Sequence, residues 1–343
     1  MLLRQRMNLL NTGALWICAT LLSACGGGGD GGSDVPVEQP RVAISATTEP
    51  RVTAQALDSV LQSQADSALG ALSTGAGTNA LKQAGLAGQQ AAKQTAKQVI
   101  SRAIQAAKSS VQVSASDTVP CTVSGSIGIT VNVANLSAPL ETAGDSFVAS
   151  FNSCVEVLGI AIDGSIRVGV VSFTTTASVW DVQATNLSVT LGNSVWRESG
   201  STRIVTDDST AGVSKVTSTS ARTSYFRSVD GQQRASYSML NSTLTSELNV
   251  ATATVSTTAN FTASGTFTGL GDVSYKVETL VPLQGPVDAA HPTSGSLKIT
   301  GAGNGTVTLV LGVTSVQVMA DYNGDGVIDS NTTRTWEDID AQL

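Results

Sequence analysis

Residues 124–133 read SGSIGITVNV and decide the fold class of this chain. Ile127, Ile129, Val131 and Val133 are apolar, whereas the residues between them are small or polar. Because successive side chains of a β-strand point to opposite faces, this alternation predicts a strand with one buried face and one face in water. The chain is therefore expected to be built from β-strands in this region.

The same alternation recurs from residue 116 towards the C-terminus, with mostly Ser, Thr, Asn and Lys between the apolar positions. Short turns rich in Gly, Asn and Asp separate the runs, which is typical of an antiparallel meander with one wet face. Residues 197–231 are more polar and less regular, so long exposed strands or loops are expected there. The runs are Ile166-Val168-Val170, Leu187-Val189-Leu191, Leu248-Val250, Val273-Tyr275-Val277, Leu297-Ile299, Val307-Leu309-Leu311 and Val316-Val318. We predict an antiparallel β body over residues 116–343.

Residues 51–112 have a different periodicity, in which apolar residues recur every three or four positions. One such pattern covers residues 53–73 and another covers residues 79–110, with a glycine-containing break at residues 74–78. This spacing predicts a helical segment of two helices with an apolar, alanine-rich stripe. Packing of the stripe on the protein's own sheet is the preferred interpretation, and a partner-binding or coiled-coil helix is the alternative.

These elements together predict a mainly β protein with an N-terminal helical segment. The preferred architecture is a large, curved antiparallel sheet whose apolar face packs on one or two helices. In pattern alone, a sheet bent around helices resembles the half-barrel of lipoprotein carriers. A β-sandwich is the alternative architecture.

Residues 1–24 have the organisation of a secretory signal peptide. Arg4 and Arg6 precede an apolar run from Gly13 to Leu22, which is too short to cross a bilayer. The run ends in LSAC at residues 22–25, which resembles the lipobox of bacterial lipoproteins. The resemblance implies that the signal is cut before Cys25 and that this cysteine carries a covalent lipid. The alternative is an ordinary signal peptide with an incidental cysteine.

Residues 25–50 are predicted to form the lipidated terminus and a flexible linker. The linker begins with GGGGDGGS at residues 26–33, a composition typical of random coil. Among lipoproteins of Gram-negative bacteria, an Asp after the lipidated cysteine favours the inner membrane, whereas this chain has Gly26. The resemblance therefore implies a lipid anchor in the bacterial outer membrane, in either the periplasmic or the surface-facing leaflet.

Charge and cysteine content restrict the classes of partner. The chain has a net charge of −7, and loss of Arg4 and Arg6 with the signal makes the mature protein more acidic. An acidic chain without a basic patch is a poor nucleic-acid binder, because phosphate contacts supply most of that affinity. Cys121 and Cys154 are the pair that remains in an oxidising periplasm, so a disulfide is the preferred interpretation and two buried thiols are the alternative.

Residues 321–329 read DYNGDGVID and resemble the first nine positions of an EF-hand or dockerin-type calcium loop. The resemblance implies a calcium site formed by the side chains of Asp321, Asn323, Asp325 and Asp329 and the carbonyl of Val327. Thr332 replaces the bidentate Glu of the family, which implies weaker affinity. The flanking residues 316–320 and 333–336 have the pattern of strands. The loop is therefore predicted to be a β-hairpin tip, either with a structural Ca²⁺ or as an acidic turn alone.

No set of residues in the sequence predicts catalysis. His291 is the only histidine, lies beside Pro292 without a G-x-S-x-G motif, and is interpreted as a solvated loop residue. The carboxylates of the β body, such as Asp145 and Asp163, are scattered along the chain, so no glycosidase-type pair is indicated.

The sequence therefore predicts a non-enzymatic, membrane-anchored lipoprotein with an envelope binding or structural role. Its expected partners are the membrane, through the lipid, and an envelope protein, a glycan or a lipophilic ligand. The first alternative is a carrier that holds a lipophilic ligand between the curved sheet and the helices, and a carbohydrate-active enzyme is the second. Residues 291–336 resemble the C-terminal portion of uncharacterised secreted bacterial lipoproteins, which implies no activity.

Overall fold

The computed structural model describes residues 38–73, 114–134, 140–157, 160–287 and 289–343. Its strands are β1 (Ser114–Pro120), β2 (Ser124–Asn132), β3 (Ser146–Val157), β4 (Ile160–Phe173), β5 (Ala177–Leu191), β6 (Ser194–Asp207), β7 (Val213–Val229), β8 (Gln232–Asn249), β9 (Thr254–Phe267), β10 (Gly271–Pro286), β11 (Ser294–Thr300), β12 (Thr306–Leu311), β13 (Ser315–Asp321) and β14 (Ser330–Thr335). A short 3₁₀ helix covers Ala302–Asn304.

All of these strands belong to one antiparallel sheet, in which each strand pairs with the next one along the chain. The predicted mainly β fold with a large, curved antiparallel sheet is confirmed. A sandwich would divide the strands between two stacked sheets, so the sandwich alternative is wrong for the described part of the chain. The polar residues 197–231 form most of β6 and β7, which are 14 and 17 residues long, as expected for long strands.

Bulges interrupt the pairing of the long strands and bend them. At the bulge where β4 pairs with β5, the register shifts between Asp163 and Ser165. Gly164 between them has a φ of +97°, and a Cβ at this position would collide with the carbonyl oxygen of Asn186. Since a bulge increases the local bend and twist of a strand, these positions contribute to the curvature of the sheet.

The folded body begins before residue 50, where the predicted linker ends. The Ser274 amide donates to the carbonyl of Pro40 at 2.8 Å, and the Val42 amide donates to the carbonyl of Ser274 at 2.9 Å. Val42 and Ile44 are buried. Their spacing of two residues is itself a strand pattern, which the proline-punctuated composition of this region obscured. The predicted linker boundary is therefore wrong, because residues 40–44 already bond to the sheet and pack in its core.

The N-terminal helix α1 (Glu49–Ser73) packs against the sheet. Residues 52–60 are all buried, the polar ones included. The helix contacts β6–β9, β12 and the short C-terminal helix α2 (Trp336–Asp340). The predicted packing of the first helix on the protein's own sheet is confirmed, and the second helical pattern lies outside the described residues. No helix in the described part of the chain is long and apolar enough to span a membrane.

Two hydrophobic clusters form the core. The N-terminal cluster contains buried side chains of β2–β6, and the C-terminal cluster contains those of α1, β7–β13 and α2. In the C-terminal cluster, four aromatic rings lie in a row across β7–β10, with neighbouring centroids 5.1–5.3 Å apart. The rings are those of Tyr225, Tyr237, Phe267 and Tyr275. Aromatic pairs at such distances stabilise a core beyond their area of burial, by about 0.5–1.5 kcal/mol each.

A disulfide ties the edge of the sheet to its third strand. Cys121 follows β1 directly and Cys154 lies in β3, with their Cα atoms 5.5 Å apart. The predicted pairing of these two cysteines is confirmed. The bond closes a loop with a sequence separation of 33 residues, which corresponds to a stabilisation of roughly 3–4 kcal/mol in the chain-entropy model.

Candidate functional site

The predicted acidic loop is the tip of the hairpin formed by β13 and β14, as the sequence predicted. The backbone amides of Gly324 and Gly326 donate to the two oxygens of the Asp321 carboxylate, at 2.7 and 2.8 Å. Both glycines have a positive φ, of 77° and 86°, which a residue without a Cβ adopts without strain. The turn is therefore wound around the Asp321 side chain, which is buried.

The other polar side chains of the loop accept hydrogen bonds in the same way. The Asp325 amide donates to Asn323 Oδ1 at 2.9 Å, and the Val327 amide donates to Asp325 Oδ1 at 2.8 Å. The Tyr322 amide donates to Asp329 Oδ2 at 2.7 Å. Among the described residues, no group of three or more His, Cys, Asp or Glu side chains is arranged to hold a metal ion. Calcium binding by this loop stays a prediction.

His291 is packed against α2 and is not the solvated loop residue that the sequence suggested. Its ring stacks on Trp336, with centroids 4.4 Å apart and planes 3° from parallel. Nε2 lies 3.8 Å from Asp340 Oδ2. Burial lowers the pKa of His291, while the nearby Asp340 carboxylate opposes that shift. The prediction failed because Trp336 was assigned to a strand, whereas the strand ends at Thr335, whose side chain caps α2.

Two carboxylates on α1 form ion pairs inside the protein. Glu49 Oε2 lies 2.8 Å from Arg334 Nη2, and Asp58 Oδ2 lies 3.0 Å from Arg227 Nη1. Burial raises the pKa of Glu49, whereas the Arg334 guanidinium lowers it by favouring the charged form. These pairs connect α1 to β14 and β7, which gives the four side chains a structural role.

Two carboxylates of the β body, Asp145 and Asp163, accept hydrogen bonds from the backbone. Asp145 is buried and accepts from the Ala134 amide at 2.7 Å. Asp163 accepts from the Ser153 amide at 2.6 Å. Both side chains therefore stabilise the turns and strands in which they lie.

A small cavity lies on the inner face of the sheet, between the two hydrophobic clusters. It is lined by residues of both clusters, such as Ile166, Val182, Leu244 and Phe261, and has a volume of about 40 Å³. That volume holds only a few water molecules, whereas ligand pockets usually have roughly 300–1,000 Å³. The cavity gives no support to a carrier of a lipophilic ligand.

A larger groove lies on the outward face of β4–β7 and the adjoining ends of β2 and β3, and we call it the polar groove. It is open to solvent and has a volume of about 800 Å³. The longer polar side chains that line it are Arg167, Asp181, Gln183 and Arg203. Arg203 donates two hydrogen bonds of 2.8 Å to the Asp181 carboxylate, which lowers the pKa of that carboxyl.

The predicted lipidation site, Cys25, lies outside the described residues, so lipidation stays a prediction.

Comparison with protein-family models, with curated protein sequences and with solved structures finds no match to this chain.

Proposed function

We propose that this chain is a lipid-anchored protein of the bacterial outer membrane that binds an envelope ligand and catalyses no reaction. The polar groove carries the binding part of the proposal. An open concavity of about 800 Å³ is within the volume range of ligand pockets, and its polar side chains can form hydrogen bonds with a ligand. The lipobox at residues 22–25 supports the anchor.

The partners of the titratable groups favour binding over catalysis. A general base or nucleophile has to reach a substrate, with its proton or lone pair available. His291 is instead stacked on Trp336, and the Asp181 carboxylate in the polar groove is bound by Arg203. Groups fixed in this way are suited to holding a structure or a ligand in place.

The short distance along the chain from the anchor to the body supports attachment close to a membrane surface. Residues 26–37 separate Cys25 from the described body. A glycine-rich coil of this length has an end-to-end distance of roughly 20 Å. A ligand of the polar groove would accordingly be a component of the envelope near the membrane.

Structural calcium in the acidic loop is a further part of the proposal. The loop gathers the carboxylates of Asp321, Asp325 and Asp329 within nine residues, and carboxylates that share a site repel one another. Ca²⁺ prefers carboxylate and carbonyl oxygens, so it would offset this repulsion. The ion would stabilise the hairpin rather than take part in chemistry.

The anchor is tested by metabolic labelling of cells with an alkyne analogue of palmitate. The wild-type protein is expected to incorporate the label and to fractionate with the outer membrane, because two or more acyl chains hold a protein stably in a bilayer. Cys25→Ser is expected to remain unlabelled, whereas Cys18→Ser, a cysteine of the signal peptide, leaves labelling unchanged. A labelled Cys25→Ser variant or an unlabelled wild type would contradict the proposal.

A further inference from the structure

We infer that the polar groove binds an anionic polysaccharide and that Arg167 recognises its acidic groups. The inference rests on the proposed envelope location, because glycans with carboxylate or phosphate groups are components of the bacterial envelope. It specifies the class of ligand, which the proposed function leaves open.

The groove presents hydrogen-bonding side chains in two rows that run across the strands. The first row consists of Asn132, Ser146, Asp181, Arg203 and Thr219. Each stands opposite the next one in the pairing of adjacent strands, except that Gly169 of β4 lies between Ser146 and Asp181. The second row consists of Arg167, Gln183 and Ser201. Residues directly opposite one another in antiparallel strands share a face, so the members of each row point the same way.

The length and spacing of the rows suit a polymer better than a small molecule. Neighbouring strands lie roughly 4.8 Å apart, so the first row extends over about 24 Å from β2 to β7. Along this distance, amide, hydroxyl, carboxylate and guanidinium groups follow one another from strand to strand, with a gap at Gly169. A polysaccharide carries hydroxyl groups at regular intervals along its length and can therefore bond to several strands at once.

Arg167 is the exposed charged side chain of the groove that has no ion-pair partner among the described residues. Arg203 and Asp181 pair with each other, and the fourth charged residue of the lining, Asp145, is buried and accepts the Ala134 amide. A guanidinium binds carboxylates and phosphates with two parallel hydrogen bonds, so an acidic sugar is the ligand that complements this charge.

Gly169 keeps the centre of the groove open. It occupies the first row between Ser146 and Asp181. A Cβ at Gly169 would have no heavy atom nearer than the Asp181 carbonyl oxygen, at 4.0 Å. A large side chain can therefore fill the groove at this point without displacing the backbone.

Gly128 is the matched control. It also lies within a strand, and a Cβ at this position would be 3.9 Å from the nearest atom. Unlike Gly169, it does not line the groove.

The test is a calorimetric titration of the full mature protein, purified from membranes in detergent. The probes are a uronic-acid oligomer and, as the neutral comparison, a dextran oligomer of equal length. The wild type and Gly128→Tyr are expected to bind the uronic-acid oligomer, and Gly169→Tyr is expected to lose binding. Thermal melting of both variants checks that each is folded.

A second pair of variants tests the charge. Arg167→Gln is expected to weaken binding of the uronic-acid oligomer about ten-fold or more, which corresponds to loss of one hydrogen bond between charged groups. Arg197→Gln removes an equal charge from an exposed position outside the groove and is expected to bind as the wild type does.

Three results would overturn the inference: a wild type that does not bind the uronic-acid oligomer, equal affinity for dextran, or unchanged binding by Gly169→Tyr. Lipid incorporation at Cys25 is measured on the same preparations. Absence of lipid counts against the proposed anchor alone, whereas absence of binding by a lipidated protein counts against the polysaccharide alone. The two failures are therefore distinguishable.

Discussion

Asp58 and Arg227 form an ion pair to which solvent has little access, since their side chains are 9% and 17% exposed. Desolvation of two charges offsets much of their mutual attraction, so the intact pair adds little net stability. Loss of one partner is a different matter, because it leaves the other charge buried and uncompensated. Asp58 Oδ1 is also buried without a hydrogen-bond partner among the described residues, which increases the dependence of this carboxylate on Arg227.

Arg227→Met is therefore expected to lower the free energy of unfolding by about 3–5 kcal/mol, as measured by urea denaturation. Combining it with Asp58→Leu is expected to recover much of that loss, because the uncompensated charge is removed as well. Lys215→Met is the control, since the Lys215–Glu247 pair is 44% and 46% exposed and its loss should cost less than about 1 kcal/mol. If the double variant were as unstable as Arg227→Met, the buried charge would not be the cause.

Pairs of this kind are beyond what the sequence predicts. The apolar spacing of α1 predicts that Leu57 is buried. The same spacing predicts that the next residue, Asp58, is exposed to water. The partner, Arg227, is 169 positions away along the chain. Whether the two meet depends on where α1 crosses the sheet, which the packing of the whole core determines.

At the scale of single elements, the β13–β14 hairpin combines a tight turn with a concentration of negative charge. The backbone amides that donate to Asp321 and Asp325 compensate part of this charge. Each carboxylate oxygen has lone pairs left over, so the same turn can also present oxygens to a cation. The hydrogen bonds within the loop explain why the hairpin forms, and a metal-dependent gain in stability would be additional.

Calcium is expected to raise the melting temperature of the purified protein above that measured in a chelator. At a calcium concentration about 100-fold above the Kd, binding to the native state alone stabilises it by roughly 2.7 kcal/mol. Asp325→Asn is expected to abolish this shift and to lower the calcium-free melting temperature only slightly. An Asn Oδ1 can still accept the Val327 amide, and the hydrogen bond that is lost, from Asn323 Nδ2 to Asp325 Oδ2, is exposed.

Asp272→Asn serves as the matched control for that experiment. Asp272 is an exposed carboxylate near a turn, accepts a side-chain hydrogen bond from Thr266, and lies in β10 outside the loop. This variant should retain the full calcium-dependent shift. A wild type whose melting temperature is the same in saturating calcium and in chelator would exclude a stabilising site in the hairpin.

The elements themselves follow from the sequence more readily than their register does. Runs such as Ile127–Val133 identify a strand because the alternation is local. The polar groove, in contrast, depends on which residues of β4–β7 stand opposite one another. Bulges shift that register, for example between Gly200 and Arg203 where β6 pairs with β7. A shift of one residue exchanges the faces of a strand, so the two rows of the groove could not be predicted.

For the whole molecule, sequence reasoning succeeded because the topology is a meander. Every strand in the described sheet pairs with its neighbours along the chain, so no long-range pairing had to be inferred. The same topology has an energetic consequence. Strands several positions apart in the sheet make few direct contacts, and the core is divided into an N-terminal and a C-terminal cluster. A local loss of stability need not extend across the whole sheet.

The disulfide allows this division to be tested by hydrogen exchange. Cys121 and Cys154 connect strands of the N-terminal cluster, whereas α1 packs mainly on strands of the C-terminal cluster. Replacing both cysteines by Ala removes roughly 3–4 kcal/mol of stabilisation, so amides of β1–β6 are expected to exchange at least about a hundred-fold faster. Amides of β7–β13 should change much less, and reductant should not affect the double variant. Equal acceleration in all strands would instead identify the sheet as one cooperative unit, in which unfolding of either cluster requires unfolding of the other.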